Sequence, residues 1–315
     1  MSVGAISQNF KAQLLDLPNK RSSHTQPIPR GGGLGFIIAF FLMIPVNQSI
    51  GETFATASLW VWLSLLPLIV IGFIDDWKTL PAGIRYIGQI SVGALIVIQC
   101  GPFLQPWLNQ LGALGWWIEI ATTIIGLTAL INFYNFMDGM DGLVAGVSAI
   151  QLGFMAVWSQ EPVLWLLVSA LVGFLYWNWS PAKIFMGDVG STFLGAVMAI
   201  ALLNQTGSVE QSWAALAITL PITGDAIYTL FCRAIRGENI FKAHRSHIYQ
   251  RLHQAGWSHG RVAAVYVGAT VGLALLIYGY GGWGAWSSLI GVAIAILVAE
   301  RYLSTRQQPL SHSND

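Results

Sequence analysis

Long apolar runs alternate with short polar stretches along this chain, and the runs have the length of membrane crossings. A helix needs about twenty residues to cross about 30 Å of hydrocarbon. Ten runs approach that length: 33–50, 57–74, 84–101, 116–133, 142–158, 162–179, 190–204, 212–232, 262–280 and 283–300. They predict an all-α polytopic integral membrane protein with about ten transmembrane helices. If the runs cross in alternation, loops 1–32, 75–83, 134–141, 180–189, 233–261 and 301–315 share one side. All 15 Lys and Arg residues fall on that side, while the opposite side carries only acids such as Glu52, Glu161 and Glu210. By the positive-inside rule both termini and these loops are expected in the cytoplasm.

Composition sharpens this picture. The 315 residues are 55% hydrophobic and only 9% charged, more apolar than a water-soluble fold of this size can bury. A net charge of +1 and the lack of a basic stripe interleaved with aromatics argue against a nucleic-acid partner. Cys100 and Cys232 lie in apolar runs without metal-site or disulfide spacing. The N-terminus is polar up to Arg30, so no cleavable signal peptide is expected. With no internal repeat, the chain reads as one membrane domain over 1–315, with a cytoplasmic segment 1–32 and a long cytoplasmic loop 233–261 that has room for a short helix.

The candidate chemistry sits at the ends of the runs on the basic side. Asn132-Phe133-Tyr134-Asn135-Phe136-Met137-Asp138-Gly139-Met140-Asp141-Gly142 follows a run whose one charge is Glu119. Acids at such a place are costly unless they serve a purpose. On a helical end Asp138 and Asp141 would share a face, as would Asn132 and Asn135. The glycines at 139 and 142 mark the end of regular helix and let backbone approach a ligand. Asp75 and Asp76 close an earlier run; neighbours on a helix point about 100° apart, so each would meet a different partner. Phe185-Met186-Gly187-Asp188-Val189-Gly190-Ser191 sets one carboxylate at a helix start, where free N–H groups suit phosphate oxygens and Asp188 would hold a magnesium ion. The long loop holds Lys242, His244, Arg245, His247 and Arg251.

Each piece also has a plain reading: a helix stop for Asp-Asp, polar turns for the glycine-rich segments, and a solvated or lipid-headgroup face for the basic loop. A zinc site at His244 and His247 is disfavoured, because the neighbouring carboxylates are hard ligands better matched to magnesium. What favours a site is convergence. Five aspartates from three loops, with a basic cluster from a fourth, reach one membrane face, and their mutual repulsion calls for a cation.

These motifs, in this order and over nearly the whole chain, resemble those of the polyprenyl-phosphate N-acetylhexosamine-1-phosphate transferases. Asp16-Leu17-Pro18-Asn19-Lys20-Arg21-Ser22-Ser23-His24 and Pro29-Arg30-Gly31-Gly32-Gly33 are similar to the O-antigen-initiating branch, and His244-Arg245-Ser246-His247 departs from the triple-histidine run of the peptidoglycan branch. Only Met1 to Leu15 precede the first of these motifs, where members of the family usually carry a membrane helix. The resemblance implies Asp188 as a magnesium ligand, with manganese as an alternative ion. It implies Asp75 and Asp76 beside the lipid phosphate, one of them a base, and Asn135, Asp138 and Asp141 along the nucleotide and pyrophosphate. Phe185 would stack on uracil with Asn178 nearby, and His244, Arg245 and His247 would close over the donor. Arg30, Lys78 and Arg85 are phosphate candidates on charge and side alone. The implied reaction moves an N-acetylated aminosugar-1-phosphate from a UDP-N-acetylhexosamine to undecaprenyl phosphate in the bacterial inner membrane, among membrane lipid and with a homodimer permitted.

Within that class the rival is a phospho-N-acetylmuramoyl-pentapeptide transferase. Outside it, a secondary transporter would place its charges near the bilayer midplane, whereas these stand at run ends. Asp225 is separate: it lies inside the eighth run, with Thr229 and Arg233 at helical steps as partners.

Overall fold

The computed structural model describes residues 15–16, 27–49, 59–205, 207–242 and 244–306. Most of the Asp16–His24 motif and the junction 50–58 of the first two predicted runs lie outside these residues. The fold is all-α apart from a two-residue antiparallel bridge between β1 (Leu15–Asp16) and β2 (Ile28–Pro29), in which Leu15 faces Pro29. The helices are α1 (Gly32–Ser49), α2 (Leu59–Leu63), α3 (Leu66–Trp77), α4 (Ala82–Cys100), α5 (Ala113–Met137), α6 (Leu143–Trp158), α7 (Val163–Asn178), α8 (Gly187–Leu203), α9 (Val209–Leu216), α10 (Leu220–Ile235), α11 (Ile248–Gln254) and α12 (His259–Arg306).

Within the described residues each predicted apolar run falls on helix. Among the described residues five helical stretches are long and apolar enough to cross a membrane: Leu59–Trp77, Ala82–Cys100, Ala113–Met137, Val209–Ile235 and His259–Arg306. The last is two helices, because Gly281 has a φ of 54° and breaks α12 there. The halves fold back on each other, with Trp257 Nε1 donating to Tyr302 Oη at 3.0 Å. The fold also places a helix, α11, inside the long loop.

Helix α8 forms the core. Every residue from Val189 to Leu202 is buried, so it is apolar on all sides and surrounded by other helices. In lipid, helices associate by close packing more than by an apolar driving force, and small residues at crossings permit it. A Cβ on Gly33 would fall 2.6 Å from Gly190 Cα, one on Gly72 2.6 Å from Val189 Cα, and one on Gly195 2.7 Å from Ile131 Cα. Glycine at these three crossings brings α1, α3 and α5 against α8. The ends of α3 and α5 that carry the aspartates thereby meet the start of α8.

Candidate active site

Asp75 and Asp76, adjacent on the last turn of α3, point to different partners as their spacing predicts. Asp76 accepts the backbone N–H groups of Asp188 (2.7 Å) and Val189 (3.1 Å), the first free donors of α8. A carboxylate there satisfies orphan amides and the helix dipole together. This corrects one expectation: the start of α8 is closed by Asp76, so its amides are not open to a phosphate in this state. Gly187, at φ 77°, is required because a Cβ would collide with the Asp76 carboxylate.

Asp75 is buried and accepts from Leu80 N at 2.5 Å and from Arg85 Nη1 at 3.1 Å. The same Arg85 nitrogen lies 3.6 Å from Asp188 Oδ2, a charge contact too long for a hydrogen bond. The Asp188 side chain keeps 37% of its surface accessible against 3% for Asp75. Asn135, on the last two turns of α5, donates to Asp188 Oδ1 at 2.9 Å and to Ser191 Oγ at 3.1 Å. Asn132 turns elsewhere and exchanges amide hydrogen bonds with Gln89 of α4.

Asp138 and Asp141 do not share a helical face. Helix α5 ends at Met137 and Gly142 adopts a left-handed φ of 72°, so the two acids stand on a turn with opposite environments. Burial pushes the Asp138 carboxyl well above the usual range, and the nearby charges of Asp188 and Asp76 push it further. For Asp141 burial acts upward too, but the hydrogen bond and charge of His259 and the Ala182 amide outweigh it and hold the carboxyl below that range. His259 Nδ1 is 3.1 Å from Asp141 Oδ1, and Ala182 N donates to Oδ2 at 3.1 Å.

Asn178 is buried with both ends of its amide in use, accepting from Gly142 N (3.0 Å) and donating to Ile184 O (2.9 Å). It fastens the aspartate turn to the strap that leads into α8. Phe185 joins that strap to β2 and α1: its amide donates to Pro29 O at 2.8 Å and its carbonyl accepts from Gly32 N at 2.9 Å, while its side chain is half-buried. Arg30 lies close enough for its charge to act on Asp76 and Asp138. Lys78 is exposed, its ammonium 5.0 Å from the centre of the Trp77 ring.

The imidazole loop is anchored by Asp225. Its Oδ1 accepts from Ile248 N (2.9 Å) and Thr229 Oγ1 (3.0 Å), and its Oδ2 from Tyr249 N (3.1 Å) and Tyr266 Oη (2.6 Å). Thr229 is thus a partner, as its helical step predicts, while Arg233 pairs with Glu238 at 2.7 Å. His247 is buried with Nδ1 3.4 Å from Asp225 Oδ1, and its ring centre is 4.8 Å from that of His244. Burial first, then the charges of His247 and Arg233, push His244 down to about 4, so it is neutral at physiological pH. Arg245 is exposed. Tyr249 Oη donates to Phe136 O at 2.9 Å, and a Cβ on Gly139 would strike that hydroxyl, so the loop lands on the aspartate turn.

The structure thus brings Asp75, Asp76, Asn135, Asp138 and Asp188 into one acid cluster, with Asp141 beside it and the loop of His244 and His247 against its edge. Sequence reasoning missed His259 and Tyr266 and gave no role to Ser191 or Tyr249. Only the long-range fold brings His259, Tyr249 and Tyr266 to the aspartates, whereas Ser191 stands one helical turn from Asp188 within the same motif.

These residues fit a hard divalent cation. The donors are carboxylate and amide oxygens, one carboxylate is open, and Asp138 is raised first by burial and then by like charges that a cation would offset. Among the described residues no three His, Cys, Asp or Glu side chains converge as a complete cage. Magnesium needs none, since it commonly takes one or two carboxylates and completes its shell with water and substrate phosphate.

The family model described as glycosyl transferase family 4 matches residues 58–206, which span α2 to α8. A probable undecaprenyl-phosphate N-acetylglucosaminyl 1-phosphate transferase of Bacillus subtilis is 33% identical over 266 residues, covering 79% of this chain and 72% of its own length. A phospho-N-acetylmuramoyl-pentapeptide-transferase of Listeria welshimeri is 27% identical over 304 residues, covering 87% and 91%. A decaprenyl-phosphate N-acetylglucosaminephosphotransferase of Mycobacterium leprae is 29% identical over 300 residues, covering 82% and 74%. With that extent of likeness to the Bacillus protein and the ordered aspartate motifs assembled in one site, the chain belongs to the polyprenyl-phosphate N-acetylhexosamine-1-phosphate transferase family.

Proposed function

We propose that this membrane enzyme transfers an N-acetylated aminosugar-1-phosphate from a UDP-sugar to undecaprenyl phosphate at the cytoplasmic face of the bacterial inner membrane. The observation that carries the reading is the acid cluster at the meeting of α3, α5 and α8, with an accessible Asp188 and a histidine-bearing loop at its edge. A lipid-phosphate oxygen attacks the β-phosphorus of the donor, the bond from that phosphorus to the UMP oxygen breaks, and a polyprenyl-diphospho-sugar forms. Such transfers depend on positioning and charge stabilisation more than on covalent chemistry. Asp188, steadied by Asn135, is the ligand proposed for magnesium, which when bound supplies charge neutralisation at the diphosphate.

Arg85, beside Asp75 and Asp188, holds two carboxylates together and offers a cation to the incoming phosphate. His244 is a neutral hydrogen-bond donor towards the donor sugar and diphosphate, and Arg245 is a cation on the same loop. Phe185, half-buried beside Asp188, is the proposed stacking surface for the uracil. An N-acetylglucosamine-type donor is favoured over the muramoyl-pentapeptide by the His244-Arg245-Ser246-His247 sequence, and the likeness of the N-terminal motif to the O-antigen-initiating branch supports a product at the start of O-antigen or a related envelope polysaccharide.

The test is transfer of radiolabel to undecaprenyl phosphate from a panel of UDP-N-acetylhexosamines and from the muramoyl-pentapeptide donor, with magnesium or with a chelator. Magnesium-dependent product from a simple N-acetylhexosamine supports the proposal. Product only from the pentapeptide donor moves the chain to the peptidoglycan branch, and folded protein inactive with every donor sinks the transferase reading.

A further inference from the structure

Asp141 stands on the same turn as Asp138, three residues on, and is tightly held. Its two oxygens reach in two directions: Oδ2 to Ala182 N on the strap before α8, and Oδ1 to His259 Nδ1 on the first residue of α12. His259 is 9% exposed, and its second nitrogen, Nε2, is buried without a hydrogen-bond partner. The ring is therefore directed through one nitrogen alone. The contact of Nδ1 with Asp141 Oδ1 fixes which way the ring faces. A buried imidazole with one partner is a poor device for holding two helices together, since an apolar residue would pack there without the orphaned nitrogen. It is a good device for fixing a carboxylate.

His259 also stands where the two parts of the site meet. Its ring packs edge-on against His253 of α11, with centroids 4.5 Å apart and planes at 72°, and His253 Nδ1 is 2.8 Å from Trp257 O. Helix α11 follows directly on His247, and Asp225 accepts its first two N–H groups. Beside the direct contact of Tyr249 with Phe136, a second path from the imidazole loop to the aspartate turn therefore runs through His253, His259 and Asp141.

We infer that His259 is a positioning residue for the transfer: acting through Asp141, it sets the turn that carries Asp138 and keeps that turn in register with the strap leading into Asp188. The inference rests on the proposed transferase function. The required feature is an N–H at the Nδ1 position, which the Asn amide reproduces and the longer Gln amide displaces. Misplacement of a reacting group by about 1 Å costs roughly 100-fold in rate. His259→Gln should therefore lower kcat roughly 100-fold with KM for the donor changed by less than about 3-fold, while His259→Asn stays within about 3-fold of wild type.

Measurement of kcat, KM and the melting temperature in detergent for both variants, beside Asp141→Asn and the Asp141→Asn/His259→Gln double variant, decides the matter. The expected double variant is no slower than Asp141→Asn alone, because both changes break one link. Equal rates for the Asn and Gln variants, independent effects in the double variant, or a Gln variant whose lost activity follows lost folding would each overturn the inference. Wild-type protein inactive with every donor would instead mark failure of the transferase reading, a result separable from all of these.

Discussion

Asp76 and Asp225 perform the same local task in two parts of the molecule. Each projects from a helix that spans the apolar bundle and accepts two consecutive N–H groups at the start of a following helix, α8 for Asp76 and α11 for Asp225. Their surroundings differ. Asp225 is 3% exposed and also receives Thr229 and Tyr266, with His247 alongside, so its charge is fully answered by the protein. Asp76 stands among Asp75, Asp138 and Asp188, whose charges are only partly answered by Arg85 and Arg30. One carboxylate completes a joint and the other belongs to a cluster with charge to spare. That difference distinguishes an acid that fastens a loop from acids arranged to receive a cation and a phosphate.

The largest effect should come from breaking the joint. Asp225→Ala strips the acceptor from four donors inside the bundle, and loss of one partner of such a buried network costs about 3–5 kcal/mol. The expected outcome is a large fall in melting temperature and new protease sensitivity between residues 236 and 247 of the loop that Asp225 anchors. Unchanged melting would mean that Asp225 is not a fastener.

At the other cap, Asp76→Asn keeps one acceptor oxygen but removes charge from a repulsive cluster. Losing a helix cap costs about 1 kcal/mol, and the relief of repulsion offsets part of it. Its melting temperature should therefore shift far less than that of Asp225→Ala. A shift as large as the one at Asp225 would show that the two caps are energetically alike.

A smaller effect lies at the other end of the bundle. Glu161, between α6 and α7, is 3% exposed with both carboxylate oxygens unpartnered, and burial pushes it up to about 7. A folded-state value raised above the unfolded one means that the folded protein keeps the proton longer. Stability is therefore greatest below the unfolded value of about 4.3. It declines as pH rises through that value towards about 7, with a slope of at most about 1.4 kcal/mol per pH unit. Glu161→Gln should flatten this slope in melting curves taken from about pH 5 to pH 8; an unaltered slope would assign the dependence to other groups.

Much of this was legible in the sequence because lipid leaves few choices. Apolar runs of crossing length must be helices, and within the described residues each of the ten runs lies on helix, including the pair at 262–280 and 283–300 that Gly281 separates. The acid cluster was legible because charges at the ends of such runs are few. The division of labour inside it was not. Nothing local distinguishes Asp76, which caps α8, from Asp75, which meets Arg85, since their side chains diverge only once α8 has packed against α3 through Gly72. Asp138 and Asp141 look alike in sequence but are driven apart by His259, more than a hundred residues later in the chain. The resemblance implies Asn178 near the uracil, and in the fold it is a buried tie between two backbone segments.

The most direct measurement is turnover of Asp188→Asn beside wild type in the magnesium-dependent transfer assay, with melting curves for both. Two unit charges about 4 Å apart interact by roughly 4 kcal/mol at an effective dielectric near 20, so removing this charge should cut turnover by about a thousandfold. Melting should stay unchanged or rise, because a like charge leaves the cluster. A variant that turns over within about 3-fold of wild type at the same magnesium dependence would contradict the assignment of the acid cluster as the reacting centre.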